Sequence, residues 1–153
     1  MQEFDPKQKA EKARELFLSG CNCAQSVFTA YAEEMGLEES FALKLSGGMG
    51  GGMGGLRETC GAVSGMVMAF SALRGYNDAA DTVGKKQLYA QIQGMAARFT
   101  DEFETLNCRE LLKLNDIVAA STPAERTPEY YRTRPCVRYV EACAALLAQE
   151  LNR

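Results

Sequence analysis

The sequence predicts an all-α protein, a single-domain bundle of about six helices around a buried central helix rich in Gly and Ala. Most segments repeat apolar residues with the spacing of an amphipathic helix, and none alternates apolar and polar residues over a useful strand length. The 153 residues suit one domain with a core of its own and contain no internal repeat. We therefore expect residues 1–153 to form one all-α domain.

The composition narrows the class of function. A net charge of −3 and a pI of about 5.1 argue against a nucleic-acid partner bound by bulk electrostatics. No apolar run approaches the ~20 residues of a membrane span. The charged, helix-patterned first residues are unlike a signal peptide, so we expect a cytoplasmic protein. We expect the binding partner to be a redox partner or a small molecule of unknown identity, and the sequence is compatible with a homo-oligomer.

Helix-start patterns open the first two helices. Asp5-Pro6 is typical of an N-cap and a first helical residue. Asn22 can cap the second helix with Gln25 completing a capping box, which places Cys23 at the first helical position. The expected helical segments cover residues 6–19, 23–35, 39–45, 56–73, 80–106, 108–113 and the chain from 136 onward. Residues 119–134 are expected to form a long surface loop.

Residues 47–55 contain seven glycines and two methionines. Gly50, Gly52 and Gly55 satisfy G-x-G-x-x-G, but the preceding FALKLS predicts a helix where the dinucleotide fingerprint needs a strand. Close helix packing or a mobile loop is therefore favoured over nucleotide binding. An anion held by backbone N–H groups is a further alternative.

The central helix is expected from Leu56 to Leu73, with Cys60 about one turn from its start. Gly61, Gly65 and the alanines that follow lie on one face, which lets a neighbouring helix approach closely. The remaining faces are largely apolar, so the helix should be buried nearly all round. Its glycines, serines and charged start favour a core helix over a membrane span.

Two further cysteines follow helix-start patterns. Asn107 can cap a short helix whose first residue is Cys108, and Cys136 follows Arg134-Pro135 at the start of the last helix. Helix N-termini offer unpaired N–H groups and a positive dipole end, and both stabilise a thiolate and lower the pKa of a cysteine. Cys60 is the expected activated thiol. Arginines lie close in sequence to these cysteines: Arg57, Arg109, Arg134 and Arg138.

The absence of histidine removes several kinds of site. A Ser–His or Cys–His arrangement for nucleophilic catalysis is impossible, and metal ligation must rely on thiolates, carboxylates or backbone. No C-x-x-C is present, so a thioredoxin-type motif is missing. The cysteines can form one site only if the bundle brings the helix starts to one end.

The cysteine-bearing segments resemble the C_GCAxxG_C_C family of redox-active proteins. The similar segments are GCNCAQSVF (20–28), GGMGGLRETCGAVSGMVMAF (51–70), NCRELL (107–112) and PCVRYVEAC (135–143). The resemblance implies that the family cysteines are Cys23, Cys60, Cys108 and Cys136, and that Gly61 and Gly65 are the glycines of the central motif. Gly61 and Gly65 are the candidate cofactor-contacting positions. The motif here reads CGAVSG, with one cysteine where the family name spells GC, and Cys21 and Cys143 are additional.

Three hypotheses follow. The leading one is a thiol redox protein, similar to a thiol–disulfide oxidoreductase, in which two or four of these cysteines cycle between thiol and disulfide. The second is a metal or cluster site in which the same four thiolates bind zinc, Cu(I) or an Fe–S cluster. The third is a structural or interaction domain with the cysteines as core filler. Four cysteines permit three disulfide connectivities, and the sequence does not choose among them.

Overall fold

The structure of the protein is a computed structural model, and it describes residues 3–153. Over that range the chain forms eight α-helices and no β-strand other than one isolated bridge, which confirms the all-α class. The helices are α1 (Pro6–Leu18), α2 (Cys23–Thr29), α3 (Glu39–Ser46), α4 (Gly61–Arg74), α5 (Thr82–Phe103), α6 (Cys108–Lys113), α7 (Pro128–Thr133) and α8 (Cys136–Leu151). The segment 47–55 between α3 and α4 is called the glycine loop.

Two helix pairs organise the bundle. Helix α1 packs along α8, and α2 packs along α4. Helix α8 also contacts α2, α4 and α5, so its apolar face joins the pairs into one core. The Tyr31 hydroxyl donates to the Ala144 carbonyl oxygen at 2.7 Å, and it ties the turn after α2 to α8. None of the helices between residues 3 and 153 has the length and apolar character needed to cross a bilayer.

The capping predictions hold for the first two helices. The Asp5 carboxylate accepts from the N–H groups of Lys7 and Gln8, and Asn22 and Gln25 form a reciprocal capping box. Asn107 caps α6 through the N–H of Glu110. Cys23, Cys108 and Cys136 are therefore the first residues of their helices, as the sequence predicts.

Helix boundaries differ from the prediction in three places. Helix α2 ends at Thr29, six residues early, and the chain continues through turns to Gly36. Helix α7 lies inside the segment predicted as a loop because Thr127 caps it and Pro128 fits its first position. Helix α4 begins at Gly61 and not at Leu56, because Arg57 and the glycines before it have positive φ values.

The predicted close approach of a helix to the glycine face of α4 is confirmed, and that helix is α2. A Cβ added at Gly65 would lie 2.6 Å from the Ala24 carbonyl oxygen and 3.2 Å from the Ala24 Cα. A Cβ at Gly61 would lie 3.2 Å from the Cys23 Cβ. The two glycines let the start of α2 rest directly on α4, and this contact positions Cys23. Along α4 the opposite side is only half-buried, so the helix is less completely enclosed than predicted.

Candidate functional site: a cavity lined by four cysteines

Four cysteines from four separate segments line one cavity of about 330 Å³. They are the four that the sequence singled out: Cys23, Cys60, Cys108 and Cys136. The glycine loop forms one wall, and exposed residues of the loop between α6 and α7 border the opening. Cys60 and Cys136 are buried, whereas Cys23 and Cys108 are half-buried.

Cys60 and Cys108 are held side by side by backbone pairing. The Cys60 N–H donates to the Leu106 carbonyl at 2.7 Å, and the Cys108 N–H donates to the Glu58 carbonyl at 2.5 Å. These bonds flank the isolated bridge between Thr59 and Asn107. Cys60 is thus the N-cap residue of α4, and it does not lie a turn inside the helix as predicted.

Cys23 is fixed by the contact between α2 and the glycine loop. The Asn22 amide donates to the Gly47 carbonyl at 3.0 Å while its oxygen caps α2. Gln25 reaches in the same direction and donates to the Leu43 carbonyl at 3.0 Å. The capping-box residues therefore have two structural roles. They start α2 at Cys23, and they bind the C-terminal end of α3 next to the start of α2.

The glycine loop turns with the opposite hand to the helices around it. Five consecutive residues, 51–55, have φ values between 57° and 80°. The Arg57 and Glu58 N–H groups donate back to the Gly51 and Gly52 carbonyls at 3.0 and 2.9 Å. A Cβ at Gly52 would lie 2.5 Å from the Glu58 backbone nitrogen, so only glycine fits there. Helix α3 precedes the loop, so the context of a dinucleotide-binding strand and turn is absent.

Three arginines line the cavity: Arg57, Arg126 and Arg134. Arg57 is only 7% exposed, and it donates through Nε to the Ala120 carbonyl at 2.7 Å and through Nη1 toward the Cys108 sulfur at 3.6 Å. The Arg134 guanidinium lies 5.1 Å from the centre of the Tyr130 ring. Arg109 and Arg138, which the sequence also suggested, are exposed and lie outside the cavity lining.

Arg126 was missed by the sequence analysis. It lies in the segment predicted as a surface loop, yet it donates to the carbonyls of Phe17 and Cys21 at 3.1 and 2.9 Å. Its guanidinium lies 4.5 Å from the centre of the Phe17 ring. Nothing in the local sequence distinguishes Arg126 from an exposed loop arginine, because its position depends on the folding of the loop back onto α1.

The pKa values of Cys23, Cys60 and Cys136 diverge. The neighbouring Cys23 thiol lowers the pKa of Cys136 to about 7 against the effect of burial, and Arg134, Arg126 and Arg57 act in the same direction as Cys23. The neighbouring Cys136, burial and repulsion from the other cavity cysteines raise the pKa of Cys23 well above its usual value.

Cys60 does not match its predicted role as the activated thiol. Burial raises the pKa of Cys60 to about 12, although the backbone N–H groups of Ala62 and Val63 at the start of α4 act in the opposite direction. The expected lowering by a helix N-terminus is therefore too small at this site to offset desolvation. Cys136 is the thiol with a depressed pKa.

Of the remaining positions that the sequence singled out, one lines the cavity and three do not. Gly61 lines the cavity, whereas Gly65 is one turn further along α4 and contacts Ala24, away from the cavity lining. Cys21 is half-buried outside the cavity lining, and Cys143 is fully buried in the core, where burial raises its pKa. Both additional cysteines are thus separate from the four.

The four cysteine sulfurs are suitable metal ligands, but their side chains are not grouped closely enough to hold a metal ion as they stand. Thiolate sulfur is the ligand type that soft metals and iron–sulfur clusters prefer. As the side chains stand, no three Cys, Asp or Glu residues within 3–153 are grouped closely enough to hold a metal ion. The chemistry of the four cysteines fits such a centre, but the cavity would have to contract around it.

The fold and site together define an all-α protein with a cysteine-lined cavity. The chain belongs to the family described as "Putative redox-active protein (C_GCAxxG_C_C)", which matches residues 21–150. A search among curated proteins gave no significant match.

A solved structure with a similar fold is that of the split-Soret cytochrome c from Desulfovibrio desulfuricans, a protein described as having a novel iron centre. The TM-score is 0.71 at 17% sequence identity, and the match covers 99% of this chain and 69% of the cytochrome chain. At this identity the similarity concerns the fold.

Proposed function

We propose that the protein is a thiol redox protein in which Cys23 and Cys136 form the reactive pair. The observation that carries the proposal is that Cys23 and Cys136 are the first residues of two helices in contact, α2 and α8, and line the same cavity as Cys60 and Cys108. Family membership supports redox activity in general, and the pairing of these two thiols is our inference from the geometry.

The two thiols have complementary properties. The lowered pKa of Cys136 favours its thiolate, and the thiolate is the nucleophile in disulfide exchange. The raised pKa of Cys23 favours its protonated thiol. The arrangement resembles an attacking thiolate with a resolving thiol held next to it.

The exchange balances with a disulfide as oxidant. The Cys136 thiolate attacks one sulfur of the incoming disulfide, so an S–S bond forms to Cys136 while the incoming S–S bond breaks and releases one thiolate. The Cys23 sulfur then attacks Cys136, releases the second thiol and passes its proton to a leaving sulfur. The protein pair loses two electrons and the Cys23 proton, and the incoming disulfide becomes one thiolate and one thiol.

Disulfide mapping tests the pair directly. Fully reduced protein is treated with one equivalent of a small disulfide, alkylated and digested, and the linked peptides are identified by mass spectrometry. We expect a Cys23–Cys136 link, and a trapped mixed disulfide on Cys136 in Cys23→Ser. The matched control is Cys21→Ser, because Cys21 lies outside the cavity and its loss should leave the link unchanged. Oxidation of any other pair, with Cys136 still reduced, would disprove the proposal.

A metal or Fe–S centre is the second candidate. The specific observation is that four sulfur donors from four segments line one cavity with no carboxylate among the lining residues. Such a centre would be held by Cys23, Cys60, Cys108 and Cys136, and an Fe–S cluster would supply one-electron transfer. The thiols would have to lose their protons to bind it, so the affinity for the metal should rise with pH.

Cys108 separates the two candidates. It is needed for a four-sulfur centre but not for the disulfide between Cys23 and Cys136. Elemental analysis of anaerobically purified wild type and Cys108→Ser is therefore informative. Stoichiometric metal in wild type and its loss in Cys108→Ser would favour the centre. Metal-free wild type whose disulfide forms normally in Cys108→Ser would favour the thiol pair.

A further inference from the structure

The cavity carries positive charge that no carboxylate of its lining neutralises, and the Cys136 thiolate offsets only one of the three guanidinium charges. Three guanidinium groups line it, and none of its lining residues is Asp or Glu. This contrasts with the net charge of −3 on the whole chain. Arginines lining a surface are normally paired with carboxylates, and buried charges are costly when they lack a partner. The three arginines differ in how many of their donors are already used.

Arg126 is occupied by the protein itself. Its two terminal nitrogens donate to the carbonyls of Phe17 and Cys21, and Nη1 also donates to the Tyr131 hydroxyl at 3.2 Å. Its plane stacks against the rings of Phe17 and Tyr130. Arg126 therefore holds the loop against α1 and has little capacity left for a ligand.

Arg57 has unused capacity inside the cavity. Nε donates to the Ala120 carbonyl and Nη1 donates to the Cys108 sulfur. Nη2 has no hydrogen-bond partner among residues 3–153, and no carboxylate in that range forms an ion pair with Arg57. A buried arginine that lines the cavity without a carboxylate partner is suited to an anion that enters the cavity.

Arg134 has more unused capacity. Its guanidinium lies over the Tyr130 ring but makes no hydrogen bond or ion pair with residues 3–153, and Arg134 lies two positions before Cys136. A stacked guanidinium keeps its edge available, and that edge matches the two oxygens of a carboxylate. The cavity volume of about 330 Å³ falls at the lower end of the usual range for small-molecule pockets.

We propose that Arg57 and Arg134 bind the carboxylate of a small anionic disulfide or thiol next to the Cys23–Cys136 pair. This rests on the exchange described above and specifies its substrate class. The carboxylate is held by the guanidinium groups while the substrate sulfur meets the Cys136 thiolate. The electrons and protons follow the same balance, with the disulfide reduced to one thiolate and one thiol as the protein pair is oxidised. The two arginines then select an anionic substrate over a neutral one.

The test compares two disulfide probes on the same protein. Dithiobis-nitrobenzoate carries carboxylates, and dithiodipyridine is uncharged at neutral pH. The rate of each at Cys136 is measured by stopped flow, and the rate that disappears in Cys136→Ser is assigned to that thiol. Loss of an arginine also weakens thiolate formation, but this affects both probes alike. The ratio of the anionic to the neutral rate therefore isolates binding of the carboxylate.

The expected result is a fall in this ratio of about tenfold in Arg134→Gln and in Arg57→Gln, because each removes a charge-assisted hydrogen bond. The matched control is Arg132→Gln, which removes the same charge from an exposed position outside the cavity lining. An unchanged ratio in Arg134→Gln, or an equal fall in Arg132→Gln, would overturn the proposal. Arg134 is only half-buried, so its variant tests the idea even if Arg57→Gln folds poorly.

A non-reactive probe separates this proposal from the exchange itself. S-methylglutathione carries carboxylates and cannot form a disulfide, so its binding is measured by calorimetry on Cys136→Ser. Binding that is lost on adding Arg134→Gln supports the anion subsite even if no Cys23–Cys136 disulfide forms. A disulfide that forms without charge preference and without binding of this probe overturns the subsite and leaves the exchange standing.

Discussion

Replacing Gly65 by Ala should force α2 and α4 apart. The added Cβ would lie 2.6 Å from the Ala24 carbonyl oxygen and 3.2 Å from its Cα. Ordinary van der Waals contact begins near 3.4 Å, so the backbone of α2 has to move by nearly 1 Å. No flexible side chain can absorb the change because the contacting atoms belong to the backbone.

The magnitude follows from two opposing terms. Ala is better than Gly inside a helix by about 1 kcal/mol. Inserting a methyl into a tightly packed contact costs about 1–3 kcal/mol. Gly94 supplies the control, since it is also inside a helix but has no atom within 4 Å of the Cβ position. The difference in stability between Gly94→Ala and Gly65→Ala should therefore equal the packing cost, about 1–3 kcal/mol.

Urea unfolding of wild type and both variants measures this difference. Gly94→Ala should be somewhat more stable than wild type, and Gly65→Ala clearly less stable than Gly94→Ala. Cys23 begins the displaced helix, so the Cys136 thiolate should also react more slowly in Gly65→Ala. Equal stability of the two variants would refute the reasoning, because it would mean that α2 moves away from α4 with no loss of stability.

Two further predictions concern titration and a buried ion pair. The pKa of Cys136 falls from near 9 in the unfolded state to about 7 on folding. Between pH 7 and pH 9 the unfolded state therefore binds more protons at Cys136 than the folded state does. The stability of wild type relative to Cys136→Ser should consequently increase from pH 7 to pH 9. Urea unfolding across that range checks it, and a flat difference would contradict it. Lys9 forms an ion pair of 2.7 Å with Glu34 at 8% and 11% side-chain exposure, and it also donates to the Ala30 carbonyl. Lys9→Met should lower the free energy of unfolding by about 3 kcal/mol because it leaves Glu34 without its partner. The double variant Lys9→Met with Glu34→Leu should recover much of this loss. A folded double variant that is no more stable than Lys9→Met would argue against the ion pair as the cause.

Local chemistry made much of the site predictable. Asn22, Asn107 and Pro135 mark helix starts by short-range rules, so the positions of Cys23, Cys108 and Cys136 as first helical residues follow from the sequence. The small residues on one face of α4 likewise predicted that a neighbouring helix packs closely there, although not that this helix is α2. These inferences need only the spacing of neighbouring residues.

The rest depends on contacts between distant segments. The pairing of residues 57–60 with 106–109 delays the start of α4, and no periodicity in the sequence encodes it. Arg126 reaches the cavity only because the loop folds back onto α1. The difference between the Cys60 and Cys136 pKa values reflects burial and the neighbouring Cys23 thiol, and neither is visible from a helix-start pattern alone.

The distance along the chain between Cys23 and Cys136 has a thermodynamic consequence. A covalent link between them would close a loop of about 110 residues, and the chain-entropy model assigns such a loop about 5 kcal/mol of stabilisation through the unfolded state. Linkage is reciprocal, so whatever strengthens the fold also makes this disulfide harder to reduce, and oxidation in turn makes the protein harder to unfold. The redox state of the pair would then set the lifetime of the folded chain, and resistance to heat or proteolysis would report on it.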